Sequence, residues 1–183
     1  MSRIGGAVDV RIACGRTVEA MPVSHRAHVE ALLAEAAQAH ASVVAQLPPA
    51  LAASVPVDAQ GVTEAIDHLA VAAGLDAEAR RQLIRPHAVN PAVMHARVFG
   101  RAPLSRDTVL GAFVEGARVR ADALTALADA VGGEGLGTEI RALLTGSPLP
   151  IDTEAPEVVD ELRAAYAAHE RAAVLIADRL DTR

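Results

Sequence analysis

No lysine occurs in this chain; all 17 of its basic side chains are arginine. That absence excludes an internal Schiff-base lysine and the lysine of a phosphate-binding P-loop. It is also what a GC-rich, bacterial genome produces. Tryptophan is missing too, and aromatic residues make up only 2% of the sequence, so platforms for stacking nucleic-acid bases are essentially lacking. With a formal net charge of −6, the chain is not expected to bind nucleic acid through phosphate contacts. The single cysteine, Cys14, excludes an intrachain disulfide and any cysteine-based zinc cluster, and a lone thiol suits a reducing compartment. Asp9 and Arg11 interrupt the first apolar stretch, which fits no secretory leader. No uncharged apolar run approaches the roughly 20 residues of a membrane span. The expectation is a cytoplasmic protein with no membrane partner.

What is abundant is alanine, followed by leucine and valine. A chain of 183 residues suffices for one domain with its own core, and small side chains let helices approach closely. The periodicity predicts an all-α fold: a helical bundle of three long and several short helices over 24–183, preceded by an N-terminal β-hairpin arm over 1–23. In the arm, Val8, Val10 and Ile12 alternate with Asp9 and Arg11, Cys14-Gly15 offers a turn, and residues 16–21 return. A lone hairpin is marginal in water, so it would lie on the helices or pair with a second copy, and the second option makes it a candidate arm for a homodimer.

Ser24 is placed to cap a long helix that ends before Pro48-Pro49. Residues 47–57 read as a linker. Asp58 or Gln60 opens a helix closed by Gly74, and 76–84 is a shorter one stopped by Pro86. Residues 91–99 make one or two turns. Over 105–131, Leu110, Val114, Ala117, Ala121, Leu124, Ala128 and Val131 recur at alternating steps of four and three, a bundle seam. Gly132-Gly133 is expected to end that helix, with a short one at 138–144 beyond it. The last long helix, 156–180, places Val158, Leu162, Ala165, Tyr166, His169, Ala172, Ala173, Ile176 and Leu180 on one face. Aligning His40 with His169 also aligns Val29 with Val158 and Leu33 with Leu162, an internal echo that chance similarity between alanine-rich helices also explains.

Two groups of residues carry candidate chemistry. The first is His40 and His169, each in the apolar stripe of a terminal long helix. If those helices are antiparallel, the imidazoles meet near their midpoints and serve as acid and base near neutral pH, with Tyr166 as a neighbour. The competing reading is a core histidine bonded to backbone or to Tyr166. A di-metal centre of the Glu-x-x-His type needs Glu at 37 and 166, where Ala37 and Tyr166 stand. Glu64 and His68, one turn apart on the next helix, are the residues that could add ligands there, and no metal is expected. His25 and His28 stand one turn apart at a helix start, but the sequence offers them no evident third ligand.

The second group is 80–106, which holds Arg80, Arg81, Arg85, His87, His95, Arg97, Arg101 and Arg106 and no carboxylate. In an acidic chain this reverses the local charge, and guanidinium groups suit carboxylate and phosphate. Arg81, Arg85, His87, His95 and Arg97, joined by Arg120 and Tyr166 from the long helices, are the expected ligand-binding set. Arg120, flanking the bundle seam, either snorkels out or answers a buried anion, and snorkelling is the expected outcome. The leading expectation is a helical binding module for an anionic small molecule or a partner protein, using this central segment and no cofactor. An enzyme with a His40/His169 pocket and arginine anchoring is the first alternative. A structural protein assembling through its hairpin is the second.

Overall fold

A computed structural model describes residues 24–52, 60–84 and 106–183. The described residues are all-helical, in the order α1 (His25–Val44), α2 (Pro49–Ala52), α3 (Gln60–Ala72), α4 (Ala77–Ile84), α5 (Arg106–Thr145) and α6 (Val158–Asp181). The hairpin expected over 1–23 and the turns expected over 91–99 lie outside the described residues. No described helix is long and apolar enough to cross a membrane.

Helix boundaries follow local chemistry. Ser24 has extended backbone, and its hydroxyl accepts from the Ala27 amide, the arrangement of an N-cap. The Asp181 carboxylate of α6 reaches the same helix end and accepts from the His25 and Arg26 amides at 2.7 and 3.0 Å. Donors left open by the first turn of α1 are therefore bonded from two sides. Gly74, with φ of +77°, closes α3 in the left-handed region that a side chain would disfavour. Asp76 then caps α4 through the amides of Glu78 and Ala79. The 47–57 linker is not wholly irregular: Pro49 opens the single turn α2, a position where its missing amide costs nothing.

α5 differs from expectation. Gly132-Gly133 does not terminate it; the helical backbone runs on to Thr145. It does not run straight. Arg141 donates to the Asp129 carboxylate at 2.6 Å, whereas twelve residues of straight helix span about 18 Å. The helix therefore bends sharply within its glycine run, a usual place for a kink. At Gly132 an added Cβ would collide with the Leu136 side chain. Leu136 and Ile140, beyond the bend, share a core with Leu124, Leu127 and Val131 before it.

Contacts along the helices fix their directions. His25 and Arg26 meet Asp181 and Asp178, so α1 and α6 are antiparallel. Gly61 lies against Leu32, Leu33 and Ala36, while His68 lies against His25 and His28, so α3 is antiparallel to α1. Tyr166 meets Phe113 and Arg120, and Arg179 meets Gly132, so α5 and α6 run in the same direction. An added Cβ on Gly61 would stand 2.7 Å from Ala36 Cβ, which shows how closely α1 and α3 approach.

α6 is the central element. Its expected apolar face is buried from Val158 to Ile176, and only Leu180 is partly exposed. Two apolar clusters flank it. One gathers Val29, Ile66, Leu69, Leu124, Leu127, Ile140 and Ile176; the other gathers Leu110, Ala117, Val158, Leu162 and Tyr166. α1 is held far less completely. Val29 is its one buried residue, and Val43 is 59% exposed. The echo between α1 and α6 thus joins helices with different surroundings.

Candidate functional site

Between the two apolar clusters lies a buried polar layer. Arg120 is 7% exposed, His169 2% and Tyr166 1%. The Arg120 guanidinium donates to the Tyr166 hydroxyl at 3.1 Å, with its carbon 5.1 Å from the ring centroid. The Tyr166 hydroxyl in turn donates to the Phe113 carbonyl at 3.3 Å, and His169 meets the tyrosine ring edge-on at 5.9 Å. Charge held over an aromatic face and tied to its hydroxyl is a stable way to keep a guanidinium inside. Arg120 does not snorkel, contrary to expectation: α6 supplies a polar partner at its depth.

α1 and α6 are antiparallel, which is the condition on which a meeting of His40 and His169 depends. His40 lies fifteen residues along from His25, and fifteen residues back from Asp181 reach Tyr166, about 22 Å in each case. His40, partly buried, thus lies near the level of Tyr166, about one turn from the fully buried His169. Neither of the two described clefts is lined by His40 or His169. Of the central arginines, Arg80 pairs with Asp67 at 2.9 Å, and Arg81, largely exposed, pairs with Glu78. Arg85, His87, His95 and Arg97 lie outside the described residues.

The structure instead brings together three other imidazoles. His25 Nδ1 and His68 Nε2 stand 3.1 Å apart. The His28 ring lies 4.3 Å from that of His68, centroid to centroid, and the His25 ring 5.2 Å. Two rings come from the first turn of α1 and one from α3. His28 and His68 also line a cleft of about 570 Å³, together with Leu32, Thr63, Glu64, Asp67 and Val71, and His25 adjoins it through His68. Burial first, then the neighbouring His28 and His25, push the His68 imidazole below its ordinary range. It therefore tends to the neutral ring, with a lone pair free to accept a proton or a cation. Nearby, the Arg26 amide is the largest influence holding the exposed Asp181 carboxyl below its usual range; slight desolvation opposes it, and the His25 amide adds to it.

Sequence reasoning had all three histidines but not their meeting. From the sequence alone His25 and His28 lack a third ligand, and His68 belongs with His40 and His169. The usable signal was register. Gly61 and Ala36 are the small residues that permit close approach, and seven residues further along α3, two turns, His68 must face the start of α1. Comparison with protein-family models, with curated proteins and with solved structures found no match to this chain.

Proposed function

We propose that the protein is a non-catalytic binding module whose ligand seat is the cleft between α1 and α3. The observation supporting this is the convergence of three imidazoles from two helices, two of them lining a cleft that also presents Glu64 and Asp67. Leu32 and Val71 give that cleft an apolar wall, and the ionisable groups give it direction, a combination typical of ligand sites. Its charge is opposite to the anion-binding expectation for 80–106. Glu64 and Asp67 line it, and Arg80 answers only one of them. A cation or a donor-rich ligand fits these groups better than a phosphate. The histidine-pair enzyme draws less support, because neither described cleft takes in His40 or His169.

Thermal-shift measurements across a panel of amines, cationic metabolites, phosphates and divalent ions test this reading, since a specific ligand raises Tm. The comparison protein is Val71→Trp, which adds bulk at a cleft position that is 52% exposed. A ligand that stabilises the native chain and not Val71→Trp supports the reading. No stabilising ligand, or one insensitive to the substitution, overturns it.

A further inference from the structure

Resting on that reading, we infer that the ligand seated by His25, His28 and His68 is a divalent transition-metal ion of the zinc, cobalt and nickel group. The geometry begins with His25 Nδ1 and His68 Nε2, 3.1 Å apart. Two nitrogens on one tetrahedral zinc, each bonded at about 2.0–2.1 Å, stand roughly 3.3 Å from each other. The spacing is therefore within a few tenths of an ångström of what a shared ion needs, and each ring must also tilt by roughly 35° so that its lone pair turns from the other nitrogen toward the ion. Without a metal, the same distance is a hydrogen bond between one protonated and one bare ring nitrogen.

His28 supplies the third ligand. Its ring is already in contact with that of His68, and the residue is exposed, so rotation about its side-chain bonds meets little resistance. That rotation is required. As the side chains stand, no three ligating groups among the described residues converge in metal-holding geometry. Glu64, one turn before His68 on α3, lines the same cleft and is exposed, which leaves it or water for the fourth position. An all-imidazole set with one oxygen favours borderline ions such as zinc over magnesium or calcium, which prefer oxygen throughout. The assignment departs from the sequence expectation of no metal, at the His25/His28 pair that lacked a third ligand there.

Titration calorimetry with zinc chloride, and the visible absorption of added cobalt(II), test the site on the full chain stripped of metal by chelator. The expected result is one ion per chain and a cobalt band of tetrahedral strength. Affinity should fall roughly tenfold or more in each of His25→Ala, His28→Ala and His68→Ala. His40→Ala, which removes a distant imidazole, should bind as the native chain does. Circular dichroism of each variant confirms that it is folded; His28→Ala, at an exposed position, remains decisive if His68→Ala fails to fold. Absence of zinc binding overturns the assignment, and so does zinc binding that folded His28→Ala leaves unchanged. An organic ligand that stabilises the native chain but not Val71→Trp, with no zinc binding, would sink the metal and leave the binding module standing. Absence of any ligand would sink both.

Discussion

At the scale of single residues, the side chain of most consequence in the core is Tyr166. Its hydroxyl accepts from Arg120 and donates to the Phe113 carbonyl. Tyr166→Phe keeps the ring under the guanidinium but removes the oxygen that joins α5 to α6 in two places. Losing a hydrogen bond to a buried charged group costs about 1.5–3 kcal/mol, so chemical denaturation of this variant should show a loss of that order. Glu170, next to His169 but only partly buried, makes a prediction of opposite sign. Burial raises its pKa, and Arg171 only partly offsets this. A carboxyl whose folded pKa is raised favours the fold most when protonated. Its contribution is lost as pH rises from the ordinary glutamate range through the raised value. Glu170→Gln should therefore be the more stable protein at pH 7, by roughly 1–2 °C in Tm after allowance for solvent screening. The gap should close as pH is lowered below the ordinary glutamate range.

At the scale of elements, glycines separate close contacts from open ones. Gly61 admits α1 to within van der Waals range of α3, and an alanine there would press on Ala36 Cβ and on the Leu32 and Leu33 backbone. Gly111 has nothing within 4 Å of an added Cβ. Gly61→Ala should cost about 1–3 kcal/mol through overpacking, while Gly111→Ala should stabilise by about 0.4–1 kcal/mol; thermal unfolding of both variants reads the contrast. The same elements show what sequence could convey. α6 was legible residue by residue, because a helix buried along one complete face writes a 3.6-residue period into the chain. The Ser24 cap, the Gly74 stop and the α5 seam were legible for equally local reasons. The continuation of α5 past Gly132 was not, because it depends on Leu136 and Ile140 finding the core shared with Leu127. The imidazole cluster was also hidden, since it depends on which turns of α1 and α3 lie side by side.

At the scale of the molecule, attachment is uneven. α6 buries residues along almost its whole length, whereas α1 is fixed over its first twelve residues, by Val29, Asp181, the Arg26–Asp178 pair and the approach of Gly61 to Leu32, Leu33 and Ala36. Local opening should follow that gradient. In native-state hydrogen exchange, amides near His40–Val44 are expected to exchange at least roughly tenfold faster than those near His169–Ile176. Equal protection in the two stretches would contradict the burial pattern. The bend in α5 has a consequence of another kind. Residues beyond Gly132 fold back onto the limb that precedes them, and Arg141 locks to Asp129 of its own chain. If heat or mutation straightened that elbow, the released limb could find the same lock on a neighbouring molecule, and two chains would trade arms in a reciprocal embrace.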